Sequence, residues 1–423
     1  MTFIFRSSAR EQASHVRIAL LLLLCASAFA QDTTKPLSLE AATSAALQQV
    51  SALRQAELDE KIAAEDLHQA WAALLPRARD SYTVTYSSES FIAANAVHEY
   101  QNLYGFAGEL DFGTIAAIRR SRALLDAARA GTAVARRALV RGVSEAYFGA
   151  ALAIAKRASA GTSLAAATEF ERVTCLNFDA GEVPEVDCIR ARLQTAQRRD
   201  DLLQARSAEV IADAQLGTLL GTTPNIEPLP QSVEIDDRYT QADVAKRPEF
   251  TQLDAQVRAA HADVAATRGV LLPHITYSLD RGFDSPSLQR SEIRQHEGKL
   301  ATANVDIPLF DWGLSFSKVK QAQLRAREAE VQRELIKRDL YLQFTTARAE
   351  VNAASERVTN AQRALADAEK NESISIARYR AGEAPISEAT DAQSALAQQR
   401  LALQQALFDF QIARARLKEA AGE

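Results

Sequence analysis

Glu388 and Asp391 stand three residues apart, so on a helix they share one face. A carboxylate pair of this kind can attract cations and repel anions, or it can simply be a solvated surface. Cys175 and Cys188 lie six and seven residues on either side of Gly181. If Gly181 turns the chain between two antiparallel helices, both thiols come to a similar height. There they are either a disulfide that staples the hairpin or two small residues in a helix seam. The histidines (His15, His68, His98, His261, His274 and His296) form no metal-ligand spacing. The sequence carries no phosphate-binding loop, dinucleotide fingerprint or Gly-x-Ser-x-Gly elbow. These residue types predict no catalysis, no cofactor and no metal.

The elements that must position these residues are legible from Lys299 to Pro385. Ala301, Ala303, Val305, Ile307 and Leu309 alternate with Thr302, Asn304 and Asp306, the period of a strand with one apolar and one wet face. Asp311-Trp312-Gly313 follows. From Leu314 to Ala381 there is no Gly and no Pro, which predicts one helix of roughly 100 Å. It stops at Gly382, ahead of Pro385.

This stretch has a twin. Leu74-Leu75-Pro76 returns as Leu271-Leu272-Pro273, Asp111-Phe112-Gly113 as Asp311-Trp312-Gly313, and Ala180-Gly181-Glu182-Val183-Pro184 as Ala381-Gly382-Glu383-Ala384-Pro385. Leu220-Gly221 returns as Ala421-Gly422. The offsets (273 − 76 = 197, 311 − 111 = 200, 382 − 181 = 201) are nearly constant, as in an internal duplication. The expected organisation is residues 1–30 as an export signal, 31–222 as a first repeat, 223–248 as a linker and 249–423 as a second repeat. In the signal, Arg6, Arg10 and Arg17 precede an apolar run that ends at Ala28-Phe29-Ala30. Leu24 stands where lipid attachment at Cys25 would want a small residue, which argues against lipidation.

Each repeat reads as an opening helix (Leu39–Leu75, with Ser38 as N-cap, or Glu249–Leu272), two strands, a long helix (Thr114–Phe178 or Leu314–Ala381) and a returning helix (Glu185–Leu220 or Ile386–Ala420). The strands, with Tyr82, Val84, Tyr86, Tyr100, Tyr104 and Phe106 in the first repeat and Ile275, Tyr277 and Leu279 in the second, have the length of tilted membrane strands. Every later apolar stretch is broken by charges, so no further transmembrane helix is expected. Four strands cannot close a barrel, and an open edge in lipid leaves backbone groups unpaired at several kcal/mol each. Several chains must therefore share one barrel; a dimer, trimer or tetramer all satisfy the pattern. A soluble periplasmic coiled-coil scaffold with a small sheet is the alternative. A periplasmic adaptor would need lipoyl-like and β-barrel segments, which are not seen. A net charge of −5 gives nucleic-acid binding no support.

Taken together, the duplication, the paired Leu-Leu-Pro and Asp-aromatic-Gly motifs, Arg378-Tyr379 ahead of Gly382, Leu37-Ser38-Leu39-Glu40-Ala41 and Arg247-Pro248-Glu249 resemble the TolC-type outer membrane efflux proteins over the whole mature chain. The resemblance implies a mainly α fold with membrane β: a homotrimer whose 12-stranded β-barrel, four strands per chain, continues into a 12-helix periplasmic α-barrel of coiled coils. It implies a passive conduit in the outer membrane of a Gram-negative bacterium, surrounded by lipid. Such a conduit docks on a periplasmic adaptor (membrane fusion) protein coupled to an inner-membrane pump, or serves type I secretion. The turns at Gly181 and Pro184 and at Gly382 and Pro385 match the tip turns that meet the adaptor. Tyr379 matches a latch tyrosine and Asp187 its acidic partner. Glu388 and Asp391 match acids that ring the entrance, six carboxylates in a trimer. The family's latch arginine falls at Ala384, so that contact is missing.

Overall fold

The computed structural model describes residues 36–87, 97–222, 225–235 and 238–423. The expected export signal with Cys25, and Thr223, Pro224 and Asp236 of the expected linker, lie outside the described residues. The chain runs α1 (Leu39–Ala46), α2 (Ala52–Ala72), β1 (Arg77–Ser87), β2 (Val97–Leu110), α3 (Phe112–Asp179) and α4 (Glu185–Leu220). A 3-10 turn (Asp243–Lys246) leads to α5 (Pro248–Gly269), β3 (His274–Ser285), the short α6 (Arg290–Gln295), β4 (Glu297–Asp306), α7 (Leu314–Arg380) and α8 (Ile386–Ala421). The order helix, two strands, long helix, returning helix thus occurs twice.

The repeated sequence motifs have local causes. Asp111 Oδ1 accepts from the Gly113 N–H at 2.8 Å. Asp311 uses both oxygens, on the Gly313 N–H at 3.1 Å and the Ser315 N–H at 2.7 Å. Each aspartate satisfies orphan donors at the start of a helix of 68 or 67 residues. Ser38 does the same for α1, accepting from the Ala41 N–H.

Three expectations need correction. The opening helix of the first repeat is two helices, because β-branched Val50, 96 % exposed, and extended Ser51 interrupt it. β4 ends at Asp306, short of Leu309, because Pro308 has no N–H to give a ladder. One 18-residue window of α3 is long and apolar enough to cross a bilayer by composition alone, contrary to the reading that charges break every later stretch. Less than half of that window, 44 %, is buried; along α3, Val143, Tyr147, Phe148, Ala150 and Ala151 are among the buried residues.

The chain forms two compact units, each drawn from both sequence repeats. One comprises Val50–Leu139, Asp236–Glu350 and Arg414–Glu423. Its centre is an antiparallel sheet in the order β1-β2-β3-β4. The register puts Tyr82 opposite Asn102, Val84 opposite Tyr100, Phe106 opposite Leu279, Leu110 opposite Ile275 and Leu279 opposite Ala301. Opposed residues share a face, so most of the large apolar residues of the four strands collect on one side, Leu103 and Leu300 lying on the other. Tyr82, Val84, Phe106, Leu279 and Val305 on it are all more than half exposed. The other face carries Thr83, Thr85, Gln101, Thr276, Ser278, Thr302 and Asn304. Among the described residues β1 and β4 each pair on one side only.

One row of the polar face runs Arg79, Gly105, Asp280, Leu300. The Arg79 guanidinium reaches over Gly105 and donates to Asp280 Oδ2 at 2.8 Å; the Asp280 side chain is 1 % exposed. A Cβ at Gly105 would overlap the Leu279 carbonyl oxygen and stand 2.7 Å from Asp280 Cα. In the same unit, Arg137 on α3 donates to Glu249 on α5 at 3.0 Å and to the Glu419 and Glu423 carbonyls near the end of α8. Arg247 shares Glu249 at 2.7 Å. Burial would push the Glu249 carboxyl up, but the Arg247 hydrogen bond and the two guanidinium charges hold it below the usual carboxylate range.

The other unit comprises the described residues before Val50, with Val140–Ile235 and Val351–Ala413. Tyr147, 3 % exposed, donates to the Leu37 carbonyl at 2.8 Å and accepts from the Glu227 N–H, tying together the Leu37–Ile226 bridge.

Replacing Gly105 by Val is expected to break the β2–β3 ladder. Limited proteolysis of the purified protein checks it: new cuts appear within 97–110 and 274–285, while Gly149→Ala, in open space on α3, leaves the pattern unchanged.

Candidate functional site

The second unit ends in two helical hairpins, α3–α4 and α7–α8. Their turns have one backbone form. Gly181 and Gly382 adopt φ of 77° and 74°, a conformation that L side chains rarely take. Around them the Glu182 N–H reaches the Asn177 carbonyl and the Glu383 N–H the Arg378 carbonyl, both at 2.9 Å, the six-to-one bond of a Schellman stop. Pro184 and Pro385 then open the returning helices, and their carbonyls accept from Asp187 and Glu388 at 3.0 Å. Gly181, Pro184, Gly382 and Pro385 are all exposed.

The hairpins are joined laterally. Tyr379 on α7 donates to Asp187 Oδ2 on α4 at 3.1 Å. Its ring packs on Phe170, centroids 5.6 Å apart, beside Ala191, Ile386 and Ala389. Burial, then the neighbouring Asp187 carboxylate, pushes the phenol up to about 12, with the Thr174 hydroxyl acting in the opposite sense. Farther along, Gln194 Nε2 donates to Gln393 Oε1 at 2.9 Å, and Arg198 donates to Ser394 Oγ at 2.9 Å. The α4 contributors Asp187, Gln194 and Arg198 are spaced by seven and four, so they lie on one face.

Cys175 and Cys188 are bonded to each other, with an Sγ–Sγ distance of 1.99 Å. The bond links the last turns of α3 to the first turn of α4. The two acids of the other hairpin differ in setting. Glu388 is bound across its own turn by Arg378 at 2.5 Å. Asp391 is exposed in a groove it lines with Arg190, Gln194, Arg198 and Thr390. Sequence reasoning noticed Arg378 only as part of a motif and missed its ion pair, ten residues on across a turn. It missed Gln194 and Gln393 altogether. Polar residues on a coiled-coil seam give that signal only once the partner face is known. Among the described residues no group of three or more His, Cys, Asp or Glu side chains is arranged to hold a metal.

One unit carries two helical hairpins and the other a four-stranded sheet of short strands with one apolar face. The sequence profile of the outer membrane efflux protein family matches residues 42–222 and 241–423, and the chain belongs to that family. It is 26 % identical over 226 residues to the cation efflux system protein CusC of Escherichia coli K12, covering 53 % of this chain and 48 % of CusC. It is 25 % identical over 292 residues to the probable outer membrane lipoprotein SilC of Salmonella typhimurium, covering 65 % and 60 %. The chain thus spans about half the length of the first of these relatives and three-fifths of the second. Its fold is similar to that of the CmeC outer membrane channel of Campylobacter jejuni, with a TM-score of 0.84 at 17 % identity over 93 % of this chain and 90 % of that one. The MtrE outer membrane channel of Neisseria gonorrhoeae, in its open state, gives 0.81 at 19 % identity, covering 91 % and 88 %. The fold is that of the outer-membrane channels: a helical barrel segment with a β part.

A non-reducing peptide map of the purified chain is expected to recover Cys175 and Cys188 in one cross-linked fragment and no free thiol at either. Recovery of both as alkylated thiols would contradict the bond.

Proposed function

We propose that this protein is a homotrimeric channel-tunnel of the outer membrane that conducts cargo passively from a periplasmic adaptor and inner-membrane pump to the outside. The observation that carries this reading is the sheet. It has an apolar face more than half exposed at five of its side chains, an opposed polar face, and one open edge at each end. In lipid each unpaired backbone group costs several kcal/mol, so the edges must find partners, and a copy's β4 beside β1 supplies them. Three chains of four strands give a 12-stranded barrel with the apolar face outward and the polar face lining the lumen. Membership of the outer membrane efflux protein family supports the same arrangement.

Conduction of this kind asks for no catalytic step from the chain; the energy comes from the pump. The exposed turns at Gly181, Pro184, Gly382 and Pro385 are the surfaces offered to the adaptor. Tyr379 and Asp187 act as a latch between hairpins, and opening separates them. Glu388 and Asp391, repeated three times, line the entrance with carboxylates. Arg378 neutralises part of that charge at Glu388, so Asp391 carries more of the ring's effect.

The test is purification from outer-membrane fractions, a heat-sensitive oligomer on gels, and reconstitution in planar bilayers. The wild-type protein is expected to form cation-preferring pores. Asp391→Asn is expected to lower cation preference more than Glu388→Gln, and the double variant to lower it most. Equal cation preference in all four proteins would remove the carboxylate ring. A water-soluble monomer without detergent would remove the channel.

A further inference from the structure

The latch and the disulfide are adjacent in sequence on both helices of the first hairpin. Thr174 immediately precedes Cys175, and Asp187 immediately precedes Cys188. Thr174 and Asp187 are also the two side chains that act on the Tyr379 phenol. Asp187 accepts its hydrogen bond, and Thr174, 1 % exposed, has a buried hydroxyl without a hydrogen-bond partner. We propose that the Cys175–Cys188 disulfide is a positioning element for the latch: it fixes Thr174 and Asp187 as the two walls of a socket for Tyr379, and so sets how firmly the entrance stays shut. This rests on the channel reading above.

Successive helix residues differ by a fixed rise and rotation, so holding Cys175 and Cys188 together also fixes the height and azimuth of the residues before them. The bond brings the two Cα atoms to 4.8 Å. Without it, α3 and α4 are held near the tip by the Gly181 stop, the Thr195 hydroxyl donating to the Ala167 carbonyl and side-chain packing, which leave the helices freer to roll about their axes. Rolling of α4 would carry Asp187 off the phenol, and with it the face that bears Gln194 and Arg198.

The second repeat supplies an internal comparison. The positions equivalent to the cysteines are Ile376 (175 + 201) and Ala389 (188 + 201), so no covalent tie can form there. Both belong instead to the apolar cluster around Phe170 and Tyr379. That hairpin is closed across its turn by the Arg378–Glu388 ion pair, next in sequence to Tyr379 and Ala389, a non-covalent counterpart of the tie in the first hairpin. The covalent tie exists only in the hairpin that presents the acceptor, not in the one that presents the tyrosine.

The experiment uses the full-length oligomer in three forms: wild type, wild type reduced after assembly, and Cys175→Ser/Cys188→Ser. A water-soluble phosphine converts the disulfide to two thiols and becomes the phosphine oxide, taking its oxygen from water. Each form is compared with the same form carrying Tyr379→Phe. The first readout is the ultraviolet difference titration that isolates Tyr379. The phenol, pushed up to about 12 by burial and then by Asp187, is expected to ionise at a lower pH when the bond is broken and Asp187 shifts away, while burial still holds it above the ordinary tyrosine range. The second is open probability in planar bilayers, expected to rise roughly fivefold on breaking the bond, the factor that losing about one hydrogen bond gives. In the Tyr379→Phe background the same treatment is expected to change opening little.

A Tyr379 titration unmoved by reduction would overturn the proposal. So would an equal gain in opening with and without the Tyr379 hydroxyl, since that describes a tie that merely stiffens the hairpin. Reduction after assembly keeps the test valid if the serine variant fails to assemble. If no form conducts, the channel reading fails, and the titration still decides the socket.

Discussion

A strand edge in hydrocarbon has nowhere to place its N–H and C=O groups, and most of the architecture follows from that constraint. Among the described residues one chain contributes a sheet with two open edges, which in the proposed channel only further copies would cover. The alternating pattern along the strands makes one face greasy and the other wet, which in the proposed channel would turn the first to lipid and the second to the lumen. The Arg79–Asp280 pair lies on the wet face, and Gly105 leaves it a clear lane across β2. A buried carboxylate there is tolerable because a guanidinium reaches it from two strands away.

Among the helices the problem changes from backbone satisfaction to helix registration. Helices of 68 and 67 residues, rich in alanine, slide and roll on one another unless something fixes them. The structure fixes them at two kinds of place. In one unit Arg137 binds Glu249 and the last carbonyls of α8, joining three helices through one side chain. In the other, the hairpin turns, the Tyr379–Asp187 bond and the disulfide hold four helix ends in register. Polar contacts of this sort contribute modestly to stability, about 1 kcal/mol each, but they choose among packings that alanine seams leave nearly equal in energy.

Much of this was legible in the sequence, because periodicity and helix stops are local properties. The returning helix of the first repeat runs Glu185–Leu220 as its flanking Pro184 and Gly221 indicate. The Asp-aromatic-Gly motifs lie at the starts of the long helices because the aspartate caps them. What was not legible depended on distant partners. The break at Val50 and Ser51 is one weak helix former beside another, a signal easily outvoted by its neighbours. Gln194 and Gln393 look like any surface glutamine until α4 and α8 are laid side by side. The Arg378–Glu388 pair was hidden for the opposite reason: both residues were noticed, each for another role.

The duplicated turn has a mechanical consequence. Gly181 and Gly382 give the two hairpins the same backbone shape at their ends, yet only the first is tied by a covalent bond. In the trimer proposed above, the periplasm would meet a pseudo-sixfold crown of alike loops, alternately tied and untied by a disulfide. A partner of that proposed trimer would grip all six with one repeated mode of contact, and the same pull would displace every second loop farther than its neighbour.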